Sequence, residues 1–347
     1  MTLTATDIDS GVAIVRRPNR VRLFWLTVTT VVLAALMVSS LVIGSRDVSF
    51  DDLIAALSGT MNNINQAAVI KRIPRTVLAV LVGAALGLAG GIMQAVTRNP
   101  LADPSILGIN MGASLAVVAG IAWFGLATAT GYIWTAIVGA ALAAALVYTI
   151  GSLGRGGATP LKLALAGAAT SAALASFLTA IALPRGDIAA NIRSWQIGGV
   201  GGASFDSIVQ VLPFFIVGGA ICLLSARSLN ALALGDDLAA SLGERVALVR
   251  AIAALGAVAL CGAATAIAGP IGFVGLVVPH LCRMLVGVDQ RWLLPFSAIT
   301  GAGLLVASDV IGRIIARPSE LDVGIITALV GAPVFIAIVR RHRVRAL

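Results

Sequence analysis

The chain of 347 residues is 59% hydrophobic and only 11% charged. Soluble domains carry about a quarter charged residues, so this one could not cover a water-facing surface. Its net charge of +9 sits in short clusters between apolar runs, which points away from nucleic acid and towards the positive-inside bias of membrane proteins.

The mean hydropathy of +1.02 and the 38 glycines fit helices in lipid, where small residues let backbones approach closely. Only two Tyr, five Trp and ten Phe, and no alternating ten-residue segments, argue against an outer-membrane barrel. Residues 1–22 are polar and end in Arg16, Arg17, Arg20 and Arg22; the apolar run Leu23–Gly44 follows. That run is long enough to span, since about 20 residues cross the hydrocarbon core. It exceeds a signal-peptide core and lacks an A-x-A-like exit, so a retained first span starting at the cytoplasmic face is expected.

Residues 45–71 are mixed and polar, and form an external loop, partly helical. A second span is expected over Thr76–Thr97, a third over Ser105–Phe124, a fourth over Tyr132–Leu153 and a fifth over Leu161–Leu183. Gly154–Gly157, with Arg155, makes a short inner turn. Residues 184–206, glycine-rich and holding Arg185, Asp187, Arg193 and Asp206, form a second external loop. Span six is Ser207–Ser225, span seven Val246–Ala268, span eight Ile271–Val288, span nine Leu293–Ser308 and span ten Val323–Val339. The tail carries Arg340, Arg341, Arg343 and Arg345.

With both termini inside, the inner segments hold sixteen of the 24 Lys and Arg and the outer ones eight, which supports that orientation. Cys222, Cys261 and Cys282 lie far apart within apolar runs and read as packing residues.

No nucleotide-binding loop is present: neither Lys71 nor Lys162 follows a glycine. His280 and His342 are the only histidines, too few for a His-based metal site or a triad, and no cofactor is expected. The carboxylates, among them Asp103, Asp289 and Asp309, are placed at span ends or in loops, so no intramembrane ion site is expected and a partner must supply the energy of any transport.

Within Arg72–Gly112, Gly83, Gly87 and Gly91 recur every four residues, a ridge without side chains on one helix face. Arg72 and Arg75 share a face at the outer end of this helix, and Arg313 and Arg317 form a second pair beyond span nine. Asp309 lies four before Arg313 and can hold it. The arginines read either as interfacial anchors or as a dock for an acidic surface.

The inner loop Leu229–Gly243 is broken by Gly235 into two short amphipathic pieces, with Asp236 able to cap the second and Gly243 to end it. Leu232, Leu234, Leu238 and Leu242 make either a knob for a soluble subunit or a connector folded back on the bundle. Pro270, Gly272, Gly275 and Pro279 interrupt span eight, where such residues are tolerated in contact with protein or a cavity; His280 reads as a packed residue.

RIPRT at 72–76, MQAVTRNPLADPSILG at 93–108, LALGDDLAASLG at 232–243, GPIGFVGLVVPHLCRMLVG at 269–287 and ELDVG at 320–324 occur in one order. On these motifs the chain resembles the FecCD family, permease subunits of ABC importers for iron–siderophore complexes, haem and cobalamin. The resemblance implies an all-α polytopic membrane protein: a cytoplasmic tail 1–22, a ten-helix domain 23–340 and a tail 341–347, in the cytoplasmic membrane of a bacterium.

It implies no enzymatic activity in this chain. Its implied partners are a cytoplasmic ATPase dimer, a second and paralogous permease, an extracytoplasmic siderophore-binding protein and membrane lipid. Arg72, Arg75 and Arg313 would meet glutamates of the binding protein. Leu232, Ala233, Leu234, Gly235, Asp236, Asp237, Leu238, Leu242 and Gly243 would couple to the ATPase. Asn99, Pro100, Pro279 and His280 match family motifs without a derivable role. The chain departs from the pattern at Gln290, where His is usual, at Asp322, where Pro is common, and at Ser308, where Ala is common. The function implied is ferric–siderophore import; cobalamin or haem import, or an ion-coupled secondary transporter, are the alternatives.

Overall fold

A computed structural model describes residues 18–44, 48–59, 63–100, 102–154, 160–186 and 195–344. Arg46, Asp47, Arg155, Asp187, Arg193 and, of the expected tails, residues 1–17 and 345–347 lie outside the described residues. All described secondary structure is helical: α1 Asn19–Val42, α2 Phe50–Leu57, α3 Ile64–Val96, α4 Ile109–Phe124, α5 Ala129–Ser152, α6 Pro160–Ala182, α7 Phe205–Leu224, α8 Ala226–Leu232, α9 Asp236–Ser241, α10 Val246–Ala268, α11 Val274–Val286, α12 Gln290–Ile315 and α13 Val323–Val344.

Among the described residues, seven helices (α1, α3, α5, α6, α7, α10 and α12) are long and apolar enough to cross a membrane. The expectation of ten spans therefore rests, for the other three, on the shorter apolar helices α4, α11 and α13. At 1.5 Å per residue, the 13 residues of α11 reach about 20 Å, short of the roughly 30 Å hydrocarbon core.

Two helices extend well beyond the apolar runs that signal them. α3 starts at Ile64, twelve residues before the expected span, because Asn63 caps it by accepting from Gln66 N at 2.9 Å. It carries Lys71, Arg72 and Arg75 on its first turns. α12 starts at Gln290, N-capped by Asp289, and runs to Ile315, so Asp309 and Arg313 lie inside it.

The architecture is a helix set around α3. Of its apolar window 78% is buried, against 6% for the peripheral α1. α3 borders α1, α7, α10, α11 and α12, while α4, α5 and α6 form a side layer that α10 joins to the centre. The most extensive contact is between α3 and α12. A Cβ at Gly83 would run into the carbonyl of Gly301, one at Gly87 into the carbonyl of Ser297, and one at Gly91 would lie 2.8 Å from Leu294 Cδ2. One face of α3 therefore meets the α12 backbone directly. In lipid, where no hydrophobic effect drives helices together, such contact supplies the van der Waals attraction that does.

Candidate functional site

At one end of the bundle, three arginines converge on the C-terminus of α1. The last carbonyls of a helix have no partners within it, and α1 has no basic residue of its own there. Arg72 Nη1 donates to the carbonyls of Leu41 at 3.0 Å and Val42 at 2.8 Å. Arg313 Nη1 donates to Ser40 O at 2.9 Å and Ile43 O at 3.2 Å, and its Nη2 to Ser40 Oγ at 2.6 Å. Arg317 donates to Gly44 O. Positive charge at this pole also suits the helix dipole.

Asp309 ties the collar together. It is fully buried, and its carboxylate accepts from Arg75 Nε at 2.9 Å and Nη2 at 2.8 Å and pairs with Arg313 at 2.8 Å. Arg75 Nη1 reaches Glu320 at 2.5 Å. Asp309 is thus an interior carboxylate, not the span-end residue expected from the sequence; two guanidiniums neutralise it. Its pairing with Arg313 is the one expected from the i, i+4 spacing.

The expected docking arginines divide. Arg72 and Arg313 are buried, 6% and 1% exposed, and spend their donors on α1 and Asp309. Arg75 alone of the three reaches the rim, through the half-exposed Glu320. Asp322 sits beside this network with its side chain against Gly199. Burial pushes its carboxyl up, Arg75 opposes this, and Glu320 and Asp309 push it further.

At the opposite end, α8 and α9 form the expected pair of short helices. Gly235, at φ +119°, separates them in a backbone region that L side chains rarely adopt. Gly243, at φ +89°, ends α9, with Glu244 N donating to Ala239 O at 3.0 Å. Two expectations are corrected. Asp236 does not cap α9: Gly235 occupies the N-cap position, and the Asp236 carboxylate takes Arg98 and, at 2.9 Å, Arg250. Leu232 is fully buried under the connector with Leu229 and Ala239, whereas Leu234, Leu238 and Leu242 are exposed.

The connector is anchored on the bundle. Arg98 Nη2 donates to Leu232 O at 2.5 Å from a backbone at φ +49°. Asn230 donates to Asp289 Oδ1 at 2.7 Å and accepts from Gln290 N at 2.9 Å. Asp289 also accepts from Arg291 and faces Arg22 at 3.6 Å. Burial pushes its carboxyl up, but the hydrogen bonds from Arg291 and Asn230 outweigh this and hold it below the usual carboxylate range. Asn230 and Asp289 are 59 positions apart, and nothing in their sequence spacing pairs them.

Of the remaining motif residues, Asn99 accepts from Ala102 N at 3.1 Å in the turn after α3. Pro279 is buried and His280 half-buried in α11. These two lie on a different element from either end cluster.

The model of the FecCD transport family matches residues 31–341. Over 303 residues the chain is 44% identical to the ferric enterobactin transport system permease protein FepD of Escherichia coli K12, covering 87% of this chain and 90% of that protein. It is 46% identical over 272 residues to the iron(3+)-hydroxamate import system permease protein FhuB of Bacillus subtilis, covering 78% of this chain and 71% of that one. Among solved structures, a metal-chelate type ABC transporter in an inward-facing conformation superposes with a TM-score of 0.80 at 28% identity, over 92% of this chain and 99% of that chain.

Proposed function

The chain belongs to the FecCD transport family, and from that premise we propose how its two ends work. It is a multi-pass transmembrane permease of an ABC importer, and the cargo its relatives support is a ferric–siderophore complex. The observation that carries this is a family match that runs unbroken through the arginine collar, the glycine seam and the connector.

In this reading the chain lies in the cytoplasmic membrane of a bacterium, the collar end faces out, and the connector end and both termini face the cytoplasm. The sixteen-to-eight partition of Lys and Arg supports the orientation. The chain has no nucleotide loop, so hydrolysis belongs to a separate ATPase dimer, and transport proceeds by alternating access. A second, paralogous permease completes a path of which this chain forms half.

The ATPase meets the exposed knob of Leu234, Leu238 and Leu242, shaped by Gly235, Asp236, Asp237 and Gly243. Leu232 and its neighbour Ala233 form the base on which that knob stands. A binding protein docks at the outer rim, where Arg75 and the exposed Lys71 offer positive charge. Arg72 and Arg313 would reach it only by giving up the carbonyls of α1, so their part is to hold the rim in place.

The test is uptake of radiolabelled iron as siderophore complexes into proteoliposomes holding this chain, the second permease and the ATPase. Iron uptake that requires ATP supports the reading. Uptake of cobalamin or haem in preference to iron would reassign the cargo, and uptake by this chain alone under an ion gradient would overturn the importer. Reversing the exposed Lys71 to Glu weakens capture of the loaded binding protein, most at low salt where charge pairs are least screened; unchanged affinity there would remove the docking assignment.

A further inference from the structure

At the connector end, residues of α1, α3, α8, α11 and α12 line a cavity of about 1870 Å³. Four arginines line it, Arg22, Arg98, Arg283 and Arg291, with the lining carboxylate of Asp289; Arg98 is already paired with Asp236 outside the lining, and Arg283 donates to Gln94. The Asp289 carboxylate is already engaged by Arg291 and Asn230, and lies 3.6 Å from Arg22. The cavity is therefore an anion site by charge.

Two of its buried groups ask for more than charge. Arg22 is 8% exposed, and its Nε–H has no acceptor among the described residues. Gln290 is 7% exposed, and its Oε1 has no donor among them. Both residues line the cavity, and buried polar groups are normally hydrogen-bonded, so an orphan donor and an orphan acceptor in one wall mark a place for a group that both accepts and donates. A phosphodiester supplies anionic oxygens for Arg22; a hydroxyl on the same headgroup supplies a proton for Gln290.

The depth of the cavity argues for a lipid. Its wall includes Leu26, Trp292 and Pro295, which lie one to two turns inside α1 and α12. Leu26 is about 10 Å along α1 from its start, at 1.5 Å per residue. Apolar lining at that depth suits the first acyl carbons of a membrane lipid better than a water-soluble peptide. Basic pockets between helices at the cytoplasmic face are known to take anionic lipid headgroups.

We propose that this cavity binds an anionic phospholipid with a hydroxylated headgroup, of the phosphatidylglycerol class. Its phosphate would lie at Arg22 and Arg283, and its glycerol hydroxyl at Gln290. This rests on the orientation given above, which places the cavity at the inner leaflet.

The test uses the purified full chain in neutral detergent. Thermal unfolding is followed with added dioctanoyl phosphatidylglycerol, dioctanoyl phosphatidylcholine or inorganic phosphate. Only phosphatidylglycerol should raise the midpoint, and saturably. Arg22→Gln and Arg283→Gln should each weaken its apparent affinity about tenfold, while Arg185→Gln, at the other end of the bundle, leaves it unchanged. If either buried variant fails to fold, Arg291→Gln, whose side chain is 66% exposed, should still weaken phosphatidylglycerol binding severalfold.

Equal binding of phosphatidylcholine, reproduction of the shift by phosphate alone, or wild-type affinity in the variants that fold would each overturn the proposal. Ser241→Cys reports orientation separately, because the three native cysteines are buried. Labelling of that cysteine by an impermeant reagent from outside intact cells would overturn the orientation and leave a positive lipid result standing.

Discussion

Arg75 in α3 grips Asp309 in α12 across 234 positions of sequence, with Nε at 2.9 Å and Nη2 at 2.8 Å from the same carboxylate oxygen. Asp309 is the only carboxylate within hydrogen-bonding reach of Arg313 that the described residues show. Buried Arg313 thus depends on an anion that it shares with Arg75, which has Glu320 besides, and removing a single partner of a buried pair costs about 3–5 kcal/mol through the charge left behind. Asp309→Asn should lower the unfolding midpoint in detergent sharply. Combining it with Arg75→Gln should recover part of the loss, because one of the stranded charges is then gone. Additive losses in that double-mutant cycle would mean that the two side chains are not coupled.

The seam between α3 and α12 makes a second prediction. Gly83→Leu and Gly87→Val place side chains where the Gly301 and Ser297 carbonyls already sit, and backbone cannot step aside as a flexible side chain can. Overpacking of this kind costs about 1–3 kcal/mol or more. Gly219→Ala, in α7, meets nothing within 4 Å and is the matched control. Unfolding midpoints of the three variants separate the readings; a Gly83→Leu protein as stable as Gly219→Ala would show that the helices do not pack here as described.

The seam is legible in the amino-acid sequence because a helix puts every fourth residue close to one face, and Gly83, Gly87 and Gly91 carry that spacing. Span seven, Val246–Ala268, has the same ends in sequence and structure, since Glu244 and Arg245 precede the apolar run and Gly269, at φ +71°, and Pro270 end it. The arginine collar is not legible in the same way. The i, i+4 spacing pairs Asp309 with Arg313, but a sequence cannot show that Arg72 and Arg313 turn inward to the carbonyls of α1, some 30 and 270 positions away. The polar start of α3 hides it too, because residues up to Lys71 read as loop, and the helix that carries the arginines reads as shorter than it is. Asp236 misleads for a local reason: its position suits a cap, but Arg98 and Arg250 draw its carboxylate elsewhere.

Burial divides the leucines of the connector into two experiments. Leu238→Glu and Leu242→Glu alter exposed positions, and surface substitutions are usually within about 0.5 kcal/mol of neutral. The unfolding midpoint should therefore hold while co-purification of the ATPase falls away. Leu232→Glu would bury a charge with no partner and should lower the midpoint itself. Undiminished ATPase recovery with both exposed variants would leave the connector a purely structural element.

Two carboxylates outside the spans should respond to pH with opposite signs. Asp289 is held below its ordinary value in the folded protein, so its contribution is fully present above the unfolded value of about 3.9 and is lost as pH falls through the lower, folded value. Asp289→Asn keeps a competent helix cap, and removes only the charge. It should lower the midpoint at neutral pH, with the difference from wild type shrinking below about pH 4. Asp322 is pushed up by its burial, so its ionised form opposes folding. That cost is absent below the unfolded value and grows as pH rises towards the folded one. Asp322→Asn should therefore raise the midpoint at neutral pH and have no effect in acid. Midpoints for the three proteins from about pH 3 to pH 8 decide both signs, and a stabilising Asp289→Asn or a destabilising Asp322→Asn at neutral pH would contradict the surroundings assigned to that carboxylate.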